Sequence, residues 1–117
     1  MLVLINTDNH VDANDPVVRQ AQADLEQALK RYASEITRIE VHFQDVNAGK
    51  AGANDKRCML EVRLRGYDPM AVTTTGATLT VAYHGARDKL ARTLERRFSK
   101  LRETVRHNPF DSSENAR

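Results

Sequence analysis

TLTVAYHGARDKLARTLERRFSKLRETVR, residues 78–106, decides the fold. Apolar side chains recur at Leu79, Tyr83, Ala86, Leu90, Leu94, Phe98, Leu101 and Val105, always three or four positions apart. That spacing draws one face of an α-helix. Between them stand Arg87, Lys89, Arg92, Arg96, Arg97, Lys100, Arg102 and Arg106. At about 100° per residue, Lys89, Arg92, Arg96 and Lys100 fall within about 80° of one another on a flank of the solvent face. Thr78 is placed to cap the helix, its hydroxyl accepting from an N–H of the first turn. The helix therefore offers a greasy stripe to a core and a cationic stripe to something else. A stripe of this width needs a second layer to cover it.

The residues upstream supply that layer. Residues 37–44, TRIEVHFQ, alternate strictly: Ile39, Val41 and Phe43 share one face, and Arg38, Glu40, His42 and Gln44 the other. Residues 57–65, RCMLEVRLR, alternate again, with Cys58, Leu60, Val62 and Leu64 facing in. Both are half-buried strands. MAVTTT, residues 70–75, is β-branched enough for a further strand, ended by Gly76 and preceded by the turn GYDP at 66–69. The segment 45–56, DVNAGKAGANDK, reads as a mobile hairpin loop. It is not a phosphate cradle, because Gly-Lys-Ser/Thr is missing and no helix follows Lys50.

At the other end, LVLIN (2–6) reads as a strand and NTDNHVDANDP as a loop rich in Asn and Asp. Asn14 or Asp15 can cap a helix that opens on Pro16 and runs to about Ala33. Its inner face is Val18, Ala21, Leu25, Ala28, Leu29 and Tyr32; its outer face carries Arg19, Gln20, Asp24, Glu26, Gln27, Lys30 and Arg31. The element order is β-α-β-β-β-α. The economical packing is an α+β two-layer sandwich, a four-stranded sheet with two helices on one face and the other face in water. One domain, 1–106, is expected, with a flexible C-terminal tail over 107–117 whose composition suits disorder.

The totals bound the function. No apolar run is long enough to span a bilayer, and the start MLVLINTD shows no signal-peptide pattern, so the expectation is a cytoplasmic protein with no membrane partner. The one cysteine, Cys58, sits on an inward strand position and reads as a small buried hydrophobe. Net charge is only +2, yet residues 1–56 carry six Lys/Arg against nine Asp/Glu, while 79–106 carry eight against three. Such a dipole favours an oriented approach to a polyanion. The four histidines, His10, His42, His84 and His107, lack metal-ligand spacing, and no Ser or Cys stands in a nucleophile elbow. The expectation is a non-enzyme with no metal and no cofactor.

Three stretches together resemble the ribosome hibernation-promoting factor / ribosome-associated inhibitor family, also called the sigma-54 modulation protein family. They are the first strand followed by Asn9-His10-Val11 and a helix, the strand Ile39-x-Val41-x-Phe43, and Arg87-Asp88-Lys89-Leu90 with Arg92, Leu94, Arg96-Arg97 and Lys100. The likeness spans roughly residues 2–105. It implies a double-stranded-RNA-binding-like fold. It also implies a place on the small ribosomal subunit, in the channel where mRNA and tRNA pass, with translation blocked while the site is filled. Family members usually carry Lys or Arg on the exposed side of helix one, where this chain has Asp24 and Gln27; the second helix is therefore expected to bear more of the contact.

Within that reading the RNA-binding residues are Lys89, Arg92, Arg96, Arg97 and Lys100, with Arg31 from helix one. The implied partners are the 30S subunit or 70S ribosome and its 16S rRNA, not DNA, and the protein is expected to be monomeric off the ribosome. Arg outnumbers Lys six to two in the last helix, and the planar guanidinium fork suits phosphate oxygens. Outside the core only Tyr67 and Phe110 offer rings to bases, so readout should be of backbone and shape. A second class is a protein-interaction module of the same fold that has lost ribosome binding and docks an acidic protein, which Asp24 and Gln27 support. A third is a binder of isolated duplex RNA.

Overall fold

A computed structural model describes residues 1–46 and 55–106, with side chains described as far as Ser99. The chain runs β1 (Leu2–Thr7), α1 (Pro16–Ala28), β2 (Ile36–Asp45), β3 (Lys56–Leu64), β4 (Met70–Gly76) and α2 (Leu79–Arg106). This is the expected α+β order. Most of the loop expected over 45–56, all of the tail expected over 107–117, and the side chains of Leu101 and Val105 lie outside the described residues.

The sheet order is β1-β2-β3-β4, with β1 parallel to β2 and the remaining pairs antiparallel. A parallel neighbour cannot be reached by a tight turn, so α1 serves as the crossover between β1 and β2. The inward rows are Val3–Ile39–Val62, then Val41–Leu60–Val72, then Phe43–Cys58. All are buried, and Leu25 and Leu29 of the α1 side and Tyr83, Leu90 and Leu94 of α2 close over them in one cluster. Cys58 is wholly buried, and burial pushes its thiol up to about 12, so it is packing material and not a nucleophile.

Both helices start as the sequence predicts. The Val17 N–H donates to Asp15 Oδ1 at 3.0 Å with Pro16 in the first turn, and the Val81 N–H donates to Thr78 Oγ1 at 3.1 Å. The end of the first helix differs. The α-helix stops at Ala28 instead of Ala33, and a single 3-10 turn, Lys30–Tyr32, follows. The tighter winding repeats every three residues, so Leu29 and Tyr32 fall on the same side and both reach the core. Ala28, expected inside, is exposed.

Two glycines have specific work. Gly66 has φ 78° in the turn closed by the Tyr67 N–H on the Leu64 carbonyl. Gly76 is needed for closeness: a Cβ there would sit 2.7 Å from Val81 Cγ1 and 2.9 Å from the Ala82 nitrogen. Beside it, the Thr74 hydroxyl donates to the Ala82 carbonyl, and a Cβ on Gly85 would lie 3.2 Å from Thr74 Oγ1. Small residues thus seat the first turns of α2 directly on β4. Gly76→Ala should lower stability by roughly 2–3 kcal/mol, because the β-branched Val81 side chain and the Ala82 backbone nitrogen both block the methyl. Urea denaturation monitored by circular dichroism would read this as a lower midpoint at unchanged slope.

Candidate nucleic-acid interface

The two helices lie side by side on one face of the sheet, and the seam between them is polar at one end and open at the other. At the first end the Tyr83 hydroxyl donates to Asp24 Oδ2 at 2.5 Å, and Arg87 Nη1 reaches the same carboxylate at 3.1 and 3.3 Å. Arg87 also holds Asp88 at 3.2 Å. Partial burial works to raise the Asp24 carboxyl, but the Tyr83 hydroxyl and the Arg87 guanidinium outweigh it and hold it below the usual carboxylate range. Burial, with Asp24 opposite, pushes the Tyr83 phenol far up, so it stays a donor. Asp24, assigned to solvent from the sequence, is therefore the link between the helices.

At the other end the seam opens into a groove of about 440 Å³ lined by Ala28, Arg31, Tyr32, Ala91, Arg92, Glu95 and Arg96. Two small residues, Ala28 at the end of α1 and Ala91 on α2, are part of its lining. Arg31 lies over the Tyr32 ring at 5.1 Å and pairs with Glu95 at 3.2 Å. Below, Phe98 stacks on Tyr32 at 5.4 Å, and Tyr67 meets Phe98 edge-on at 6.5 Å. Tyr67, expected to be available to a base, joins this aromatic cluster and remains exposed, and Phe110 lies outside the described residues.

The structure brings three of the six expected RNA-binding residues to one place. Arg31, Arg92 and Arg96 surround the groove, and Lys89 lies exposed one turn before them on the same flank. Arg97 does not line the groove and is half-buried, about 80° round from Lys89 at 100° per residue. The side chain of Lys100 lies outside the described residues. Among the described residues, Lys89, Arg92 and Arg96 take part in none of the ion pairs, as is also true of Arg19, Lys30, Arg57, Arg63, Arg65 and Arg97, whereas Arg31, Arg38, Lys56 and Arg87 are paired. Sequence reading missed the groove and the role of Glu95, because both depend on α1 and α2 lying side by side.

The opposite face of the sheet is solvated, as expected, and its acids are engaged. Arg38 holds Glu40 at 3.0 Å, and His42 Nε2 lies 2.8 Å from Glu61 and 3.7 Å from Glu40. The ligand atoms of Glu40, His42 and Glu61 lie within 4.8 Å of one another, a set whose donor chemistry could hold a divalent cation. Register and not sequence spacing assembles it, with Glu40 opposite Glu61 across the β2–β3 pair. The Arg38 guanidinium on Glu40 competes with any such cation, and as it stands the trio is an ion-pair network. Among the described residues, no helix is long and apolar enough to cross a membrane.

Comparison with known proteins bears on the family and the fold. The family model described as sigma 54 modulation protein / S30EA ribosomal protein matches residues 4–102. The N-terminal domain of protein Y from Thermus thermophilus superposes with a TM-score of 0.63 at 23% identity, over 82% of this chain and 98% of that one. A ribosomal subunit interface protein from Coxiella burnetii gives 0.63 at 19% identity, over 85% and 99%. No curated protein matches.

The Asp24 junction carries a pH dependence. Its carboxyl titrates lower folded than unfolded, so its stabilisation is complete above the unfolded value of ~3.9 and is lost as pH falls through the lower folded value. Its side chain is 37% exposed, so the charge contribution is discounted to about 1 kcal/mol. Thermal melts of Asp24→Asn against wild type should show that deficit at pH 7, and the two curves should approach each other as pH falls below the ordinary carboxylate range.

Proposed function

This chain belongs to the sigma 54 modulation protein / S30EA ribosomal protein family, and on that premise we propose that it is a ribosome-bound hibernation factor. It docks on the small subunit through rRNA contacts of α2 and so blocks translation. The supporting names are those of the neighbours, one a ribosomal subunit interface protein. The observation that carries the reading is the alignment of the cations. Lys89, Arg92 and Arg96 project from one flank of α2, exposed and outside the ion pairs of the described residues. Unpaired guanidinium groups spaced a helical turn apart on a rigid rod match the backbone of structured RNA, where shape and phosphate position dominate recognition. Arg31 adds a cation from across the groove, and Lys100 continues the stripe in sequence.

The competing protein-module reading drew on Asp24 as an exposed acid of helix one. That carboxylate is instead bound by Tyr83 and Arg87, which removes its main support. The same contact explains how an acid can stand at a position where a base is usual: here it anchors α2 from within the protein. The ribosome-bound protein is expected to be cytoplasmic and, off the ribosome, monomeric.

Sucrose-gradient co-sedimentation with purified 30S subunits tests the reading. Wild type should travel with the subunits at about 0.1 M salt and dissociate steeply as salt rises. The R92E/R96E/K100E variant should lose at least ~100-fold in affinity, since each lost phosphate contact also removes about one unit from the log–log salt slope. Its circular dichroism and melting should stay near wild type, because Arg92 and Arg96 are exposed and Glu, like Arg and Lys, is a good helix former. Co-sedimentation by the triple variant at moderate salt would sink the proposal.

A further inference from the structure

The groove that gathers Arg31, Arg92 and Arg96 also contains an acid. Glu95 is held there by donors on both of its oxygens. Oε1 accepts from the Tyr32 hydroxyl at 2.9 Å and from Arg31 Nη2 at 3.2 Å, and Oε2 accepts from the Ser99 hydroxyl at 3.2 Å. Among the described residues, donors from two segments therefore converge on one two-oxygen anion, between the arginines of a cationic flank. A phosphate offers the same pattern of adjacent anionic oxygens to a guanidinium.

We propose that Glu95 is an internal competitor for RNA phosphate: it holds the Arg31 end of the groove when the protein is free and yields it to a backbone phosphate on docking. The inference rests on the RNA-binding reading above and adds to it a residue that sets affinity and selectivity. The exchange is physically easy. The Arg31 and Glu95 side chains are 63% and 47% exposed, and exposed ion pairs of this kind contribute little to stability. Arg31 meanwhile stays over the Tyr32 ring, oriented for the next anion.

The consequence is selectivity by threshold. With Glu95 in place, the groove carries three positive charges and one negative, so a single phosphate gains little by entering it. A ligand that also engages Lys89, Arg92 and Arg96 has enough attraction to displace the carboxylate. Structured RNA meets that condition and a mononucleotide does not. Discrimination here comes from a repulsive element built beside the attractive one.

Titration of purified 30S subunits with wild type, E95Q, R31A and R31A/E95Q over a range of salt concentrations tests this. Glutamine keeps an oxygen acceptor for the Tyr32 hydroxyl and removes the charge. E95Q should bind about five- to tenfold tighter at ~0.1 M salt, with a log–log salt slope steeper by about one unit, because Arg31 becomes one more phosphate contact. In the R31A background the same change should gain less than about twofold, since the cation it releases is gone. E61Q, an equal charge change on the far face of the sheet, should stay within about twofold of wild type, being screened by distance. The inference is overturned if wild type binds and E95Q binds no tighter, or if the gain persists without Arg31. If neither wild type nor E95Q binds 30S subunits, the RNA-binding reading itself falls and takes this inference with it.

Discussion

Two helices that share one face of a sheet must resolve what lies between them, and here the Tyr83–Asp24–Arg87 contact does so. Tyr83 is almost wholly buried, and its hydroxyl needs an acceptor. Asp24 supplies it from α1, and Arg87 supplies the carboxylate's counter-charge from the next turn of α2. A buried phenol left unpaired would cost about 1–3 kcal/mol, so the contact fixes the register of one helix against the other. Everything downstream on α2 inherits that register. Leu90 and Leu94 point to the core, and Arg92 and Arg96 face the groove.

The same contact sorts the cations. Counting charges along the last helix makes every Lys and Arg look equivalent, but the fold gives them different duties. Arg87 is structural, bound to Asp24 and Asp88. Arg31 is held by Glu95 yet exposed. Lys89, Arg92 and Arg96 are left as a surface that no acid of the described residues neutralises. The far side of the sheet is the counter-example. Arg38, Arg57, Arg63 and Arg65 share it with Glu40 and Glu61; Arg38 pairs with Glu40, His42 meets Glu61, and Arg57 donates to the Gln44 amide oxygen. A polyanion approaching the molecule therefore meets cations interleaved with acids on the sheet face and an aligned cationic row on the helix flank.

Most of the fold was legible because it follows from period. Alternation over 37–44 and 57–65 and the three-four spacing over 79–98 can be satisfied together only by two layers, and the caps at Asp15 and Thr78 are local chemistry. The stop at Ala28 was not legible, because Ala28, Leu29 and Tyr32 suit a continuing helix equally well by spacing. Only the pull of both Leu29 and Tyr32 into the core decides it. The site was half legible. The stripe Lys89–Arg92–Arg96 needs only helical geometry, whereas the roles of Asp24, Glu95 and Arg31 are set by contacts 63 or 64 residues apart in the chain. The trio Glu40, His42 and Glu61 escaped for the same reason: it is a product of strand register.

The position of the groove follows from the shape of α1 more than from α2. A 28-residue α-helix extends about 42 Å, well past the 13-residue α1 beside it. Where α1 gives way to the 3-10 turn, α2 loses its neighbour and its flank is uncovered. Had α1 continued to Ala33 as an α-helix, more of its surface would stand against Ala91 and Glu95, and the seam would be closed by packing. The tight turn instead brings Tyr32 inward to stack on Phe98 and leaves Arg31 at the rim. The aromatic cluster of Tyr32, Phe98 and Tyr67 then takes over the role of a second helix, supporting α2 from below while keeping its cationic flank in water. Exposure of that flank is thus a consequence of how the first helix ends.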